Sequence, residues 1–151
     1  MLLSADHVEP LLDAVADTYY ISADALTAAV RDHTSLNLIH LQSGMKIDLF
    51  PLSDDPLDVR QISGRQRVTV SEGVDIWIGA PVDQVLRKLS WFRLGGEVSD
   101  RQWRDIVSIL RVQGSGLDRV ELQRVADSLD LGDLCRRAIA AVGTDLDGTT
   151  A

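Results

Sequence analysis

The chain has 151 residues, 45% hydrophobic and 25% charged, which suffices for one domain with a core of its own. Its net charge of −8 excludes a general nucleic-acid-binding surface, which would be basic, and leaves room only for a local basic groove. One cysteine (Cys135), three scattered histidines (His7, His33, His40) and no apolar run near the ~20 residues that span a bilayer exclude a disulfide framework, a Cys/His metal cluster and a membrane-crossing helix.

The start, Met-Leu-Leu-Ser-Ala-Asp-His, has no basic n-region and does not read as a signal peptide, so a cytoplasmic protein is expected. Ser4 reads as the N-cap of a helix ending near Asp17, with Val8, Leu11, Leu12 and Val15 at helical spacing. Ser22 caps a second helix carrying Ala25, Leu26, Ala29 and Val30. The period then changes. Leu36 to Leu41 and Met45 to Phe50 read as two short strands joined through Ser43-Gly44, and Pro51 ends the second. The polar stretch 52–66 predicts a loop with a short helix. Arg67 to Val70 and Val74 to Ile78 predict a second hairpin, turning at Glu72-Gly73.

From Pro81 onward the pattern is helical. Pro81 suits a first helical position, and Gly95-Gly96 stops that helix. Ser99 opens the next with a capping-box pattern, Gly114-Ser115-Gly116 ends it, Asp118 opens a third and Gly132-Asp133 a fourth, to about Val142. The expectation is an α+β domain over residues 1–143. A small, mostly antiparallel sheet of about four strands with two N-terminal helices (1–79) precedes a four-helix half (80–143). Residues 144–151 are expected to be a flexible tail.

Three places carry candidate chemistry. With a turn centred on Ser43-Gly44, Ile39 opposes Asp48 and Leu41 opposes Lys46. Asn37, Ile39, Leu41, Lys46, Asp48 and Phe50 then share one mixed face, because side chains alternate along a strand. Leu36, Leu38, Met45, Ile47 and Leu49 share the other, as core, with His40 as its one polar member. By residue pattern alone Lys46 and Asp48 read more readily as a solvated strand face than as a site, and His40 as a satisfied histidine at the core edge rather than a ligand. Lys88 borders the apolar stripe Val82, Val85, Leu86 and Leu89 of the helix from Pro81. An anchored Lys can hold a phosphate as a point charge, or simply snorkel along the core. Asp100 with Arg104, and Arg101 with Asp105, are i,i+4 pairs beside the buried stripe Trp103, Ile106, Val107 and Leu110.

Three segments together, Asn37 to Phe50, Ala80 to Leu89 and Arg101-Gln102-Trp103-Arg104-Asp105-Ile106, resemble the nucleotidyltransferase-like proteins of the DNA polymerase β superfamily. The nearest likeness is to the small bacterial proteins related to abortive-infection and toxin–antitoxin nucleotidyltransferases. The resemblance covers about residues 1–140 and is strongest at Lys46-Ile47-Asp48-Leu49-Phe50 and at Lys88 followed by Arg101-x-x-Arg104-Asp105. It implies that Asp48 is the third, metal-binding catalytic carboxylate of the family. It also implies that Lys46, Lys88, Arg101, Arg104 and Asp105 serve the same nucleotide site, with Lys88 and Arg104 on phosphate and Arg101 paired with Asp105. Two metals would bridge the nucleotide phosphates and activate an acceptor hydroxyl.

The chain departs from that family pattern at its start. No Gly-Ser turn and no Asp-x-Asp strand precede Asp48; Asp6, Asp13 and Asp17 lie on the predicted first helix. Ala80 replaces the usual Ser/Thr cap, and Ser108 stands where some relatives have Asp. A chain begun at an internal Met, or a member that lost its donor motif, are the two expectations. Asp48 alone implies weak Mg²⁺-nucleotide binding, with magnesium the only cofactor expected. An unpaired strand edge implies a homodimer or larger assembly. The expected function is thus a nucleotidyltransferase-like protein, catalytically incomplete as this chain. Its parent activity would transfer a nucleotidyl group from an NTP to a protein or RNA hydroxyl, with no membrane partner and no nucleic acid beyond such an RNA acceptor. The alternative is a non-enzymatic interaction or antitoxin-like module, or a structural homodimer.

Overall fold

The computed structural model describes residues 3–144. They form an α+β protein of seven α-helices and two small antiparallel sheets. The chain divides into two compact units, Met1–Val59 and Arg60–Ala151. No helix among the described residues is long and apolar enough to cross a membrane.

In the first unit, α1 (Val8–Val15) follows a 3-10 turn, Ala5–His7. The helix expected from Ser4 to about Asp17 is therefore shorter at both ends. The tight turn has a local cause: His7 Nδ1 accepts the Ser4 N–H at 3.0 Å, a role usually taken by Glu or Gln. A two-residue strand β1 (Tyr19–Tyr20) comes next, without a sequence signal. Helix α2 (Ala23–Asp32) starts where expected, with Ser22 Oγ accepting the Ala25 N–H at 3.2 Å. Strands β2 (Leu36–His40) and β3 (Lys46–Leu49) complete a sheet of order β1-β2-β3, with β3 at an edge.

The hairpin register differs from the expected one by two residues. Asn37, not Ile39, opposes Asp48, and Ile39 opposes Lys46. The connection is longer than a two-residue turn on Ser43-Gly44. Gly44 takes a left-handed φ of 68°, open to glycine without a Cβ penalty, and donates its N–H to the His40 carbonyl at 2.8 Å. A displacement of two keeps every side chain on its expected face. Core membership changes, however. Leu36 and Leu49 pack against the buried Val8, Leu26 and Val30. Ile47, expected in the core, is 41% exposed, and Met45 more so.

Helix α3 (Pro56–Ser63) spans the boundary between the units. In the second unit, β4 (Gln66–Ser71) and β5 (Val74–Ile78) form the expected second hairpin. They pair only with each other, so the single sheet of about four strands is corrected to five strands in two sheets. Helices α4 (Pro81–Leu94), α5 (Asp100–Gln113), α6 (Arg119–Ser128) and α7 (Gly132–Thr144) follow as read from the pattern. Their caps work as anticipated: Ser99 Oγ accepts the Gln102 N–H at 3.3 Å, and Asp118 Oδ1 the Glu121 N–H at 2.9 Å. α4 packs on α5 and α6, and α7 on α5 and α6. Leu86, Leu89, Ile106, Leu110, Leu122 and Leu134 are fully buried between them. Each contributes ~2 kcal/mol by leaving water. Arg137 of α7 lies over the Trp103 ring, 4.1 Å from its centroid, and adds a cation–π contact to α5. The tail expected at 144–151 lies outside the described residues from 145 onward.

Among the described residues of this unit one charged side chain is buried. Asp83 on α4 is 1% exposed, and Arg60 Nε of α3 meets its Oδ1 at 2.6 Å. Arg60 Nη1 also reaches Glu121 of α6 at 3.0 Å. A Cβ at Gly64 would stand 3.0 Å from Asp83 Oδ2, so only glycine lets the chain pass this close without a shift. Removing Arg60 strands a buried carboxylate, which costs ~3 kcal/mol or more, whereas replacing both partners by apolar side chains costs far less. Arg60→Leu is therefore expected to lower the urea midpoint strongly, and Arg60→Leu with Asp83→Leu to recover most of the loss.

Candidate functional site

Lys46 and Asp48 lie on β3 in the first unit, and both are exposed. Asp48 Oδ1 accepts a hydrogen bond from Asn37 Nδ2, its partner across the strands. The mixed face expected from strand alternation is therefore present, with an exposed carboxylate held by an amide at one oxygen. Among the described residues no three His, Cys, Asp or Glu side chains gather as a metal site. As donor chemistry, Asp48 fits a magnesium ion that takes one carboxylate and fills its other positions with phosphate and water. It does not by itself fit a two-metal clamp. His40 takes the structural role expected of it. It is half-buried, its Nδ1 lies 2.8 Å from Ser43 Oγ, and its ring meets Tyr19 edge-on at 5.3 Å.

In the second unit, Lys88, Arg101, Arg104 and Asp105 come together. α4 buries Val85, Leu86, Leu89 and Phe92, which leaves Lys88 at the margin of the buried face. α5 buries Ile106, Val107 and Leu110, which leaves Asp105 at the corresponding margin. Packing α4 on α5 brings the two margins into contact, and Lys88 Nζ meets Asp105 Oδ2 at 3.0 Å. Asp105 was expected to pair with Arg101 along its own helix. It pairs instead across helices, because Lys88 approaches from the neighbouring element. Arg101 and Arg104 act on Asp105 through their charge.

The Asp105 carboxyl is held below the ordinary aspartate range, first by the hydrogen bond from Lys88, then by its charge, with smaller help from Arg101 and Arg104. Lys88 is 29% and Asp105 49% exposed at the side chain, so the pair stands at the surface. Over Lys88 and residues 100–105, three cations face two carboxylates, Asp100 and Asp105, in a chain of net charge −8. Such a patch can attract an anion. Lys88 spends one of its three N–H donors on Asp105 and has two left.

The Arg60–Asp83 pair escaped the sequence reading. Asp83 has the appearance of an acid in the first turn of a helix, where negative charge is ordinary. Its partner lies 23 residues earlier. The buried apolar stripe of α4, with Asp83 two residues before Val85, was the only hint available.

The pH dependence of Asp105 follows from the sign of its shift. A depressed folded-state pKa contributes stability that is fully present above the unfolded value of ~3.9. That contribution is lost as pH falls through the lower folded value. In Lys88→Ala the largest cause disappears, so a carboxyl-carbon NMR titration is expected to show the Asp105 midpoint moving upward. An unchanged midpoint would mean that the ion pair does not persist in solution.

Compared with known proteins, the chain matches no protein-family model, no curated protein and no solved structure.

Proposed function

We propose that this is a nucleotidyltransferase-like protein whose α4–α5 cluster binds the phosphates of an NTP in the cytoplasm. The observation that carries the reading is the gathering of Lys88, Arg101 and Arg104 about Asp105 in an otherwise acidic chain. Lys88 would act as a point charge, and the arginines as planar donors able to hold two phosphate oxygens at once. The resemblance of Lys46 to Phe50, and of Lys88 with Arg101-x-x-Arg104-Asp105, to the DNA polymerase β superfamily supports the same reading. Asp48 would hold magnesium, with Lys46 adding positive charge on the same strand face. One such carboxylate supports nucleotide binding better than complete catalysis. The parent reaction, nucleotidyl transfer from an NTP to a protein or RNA hydroxyl, describes the ancestry of the site.

Calorimetry with Mg-ATP and the other NTPs tests this. Lys88→Ala is expected to weaken binding about tenfold, as loss of one charge-assisted contact does, and Asp48→Ala to weaken the binding of magnesium itself. No binding by the wild-type chain, or binding indifferent to both changes, would sink the reading.

A second reading, an interaction module or structural homodimer in the manner of an antitoxin, has its own observation. β5 is exposed along its whole length, with Trp77 60% exposed and Val74, Ile76 and Ile78 over 40%. Two strands alone are marginal in water, and open edges pair with other chains. Light scattering on the wild-type chain is expected to show a dimer that Ile76→Lys converts to monomer. A wild-type monomer at high protein concentration would remove this reading.

A further inference from the structure

We infer that Asp105 is a built-in counter-ion for the phosphate site, occupying Lys88 until a multiply charged phosphate chain displaces it. The inference rests on the phosphate reading of the α4–α5 cluster. Its observation is the 3.0 Å contact between Lys88 Nζ and Asp105 Oδ2, made where both groups reach water.

Burial decides what such a pair can do. The Arg60–Asp83 contact has a carboxylate 2% exposed at its side chain, and no ligand can open it without stranding that charge. In the Lys88–Asp105 contact both partners return to water when they part. Surface ion pairs are weak and screened by salt, so they open at little cost. Asp105 also sits within the field of Arg101 and Arg104. Asp105 therefore occupies the Lys88 donor that an incoming phosphate oxygen would take. A singly charged anion gains little by replacing a carboxylate already in place. A triphosphate brings several charges, can keep one oxygen on Lys88 and others on the arginines, and outcompetes Asp105. The site would then discriminate by phosphate charge.

The test is calorimetric titration of tripolyphosphate, Mg-ATP and inorganic phosphate into wild type, Asp105→Asn, Asp105→Ala, Lys88→Ala and the double variant Asp105→Asn with Lys88→Ala. Circular dichroism checks that each is folded. The expected result is wild-type binding of tripolyphosphate well above that of inorganic phosphate. Asp105→Asn and Asp105→Ala should bind tripolyphosphate tighter by on the order of threefold, as removal of one nearby unit charge at the surface predicts. Most of that gain should vanish in the double variant, because it acts by freeing Lys88. Unchanged or weaker binding by both Asp105 variants, with wild type and Lys88→Ala behaving as the phosphate reading requires, would overturn the counter-ion inference alone. An equal gain with and without Lys88 would overturn it as well. Absence of phosphate binding by both wild type and Asp105→Asn would overturn the inference and the phosphate reading together.

Discussion

The carboxylate of Asp83 has to be paired, and much of the second unit follows from that requirement. An unpaired buried charge costs more than most single contacts supply. Arg60 meets Asp83 and Glu121 together and so links α3, α4 and α6. Gly64 leaves the room this approach needs. The leucines among α4 to α7 supply the larger, non-directional stabilisation. The ion pair supplies direction: Arg60 has to reach the enclosed Asp83 carboxylate, which would be left without hydration or a partner if the two separated. With α4 held and packed on α5, the margins carrying Lys88 and Asp105 meet.

The same chemistry therefore occurs twice in this unit with opposite consequences. Arg60–Asp83 has an enclosed carboxylate and is structural. Lys88–Asp105 is open to water on both sides. Sequence spacing cannot tell them apart, since both join residues far apart in the chain, and only burial separates a permanent contact from one that a ligand can replace. The charge of the molecule sharpens the contrast. A chain of net −8 repels phosphates at long range, so a phosphate site has to rely on local density of cations. Lys88, Arg101 and Arg104 would provide that density in the site proposed above.

Asp48 illustrates a different limit. Alternation along the strand places it on the mixed face whichever even register the hairpin adopts, which is why its face was legible although its partner was not. Ile39 was the expected partner and Asn37 the observed one, because Gly44 donates back to the His40 carbonyl and lengthens the connection. The outcome matters chemically. Asn37 presents an amide donor to Asp48 where Ile39 would present none. The strand Tyr19–Tyr20 was hidden for a related reason: two residues have no period, and their strand state depends on β2 lying alongside them.

By itself the sequence determined what is local. Helices α2 and α4 to α7, the Ser22, Ser99 and Asp118 caps, the existence of the two hairpins and most of the buried stripes of α4 and α5 follow from side-chain period and from groups that bond within a few residues; Val82 and Trp103 are only half-buried. Only the tertiary structure decided what depends on distant partners. It divided the strands between two sheets, left Ile47 and Met45 in water, buried Asp83 against Arg60, and turned Asp105 from Arg101 toward Lys88. The physical reason is common to all of these. Burial and ion pairing depend on distance in space, and residues 17 or 23 positions apart become neighbours only once the helices pack.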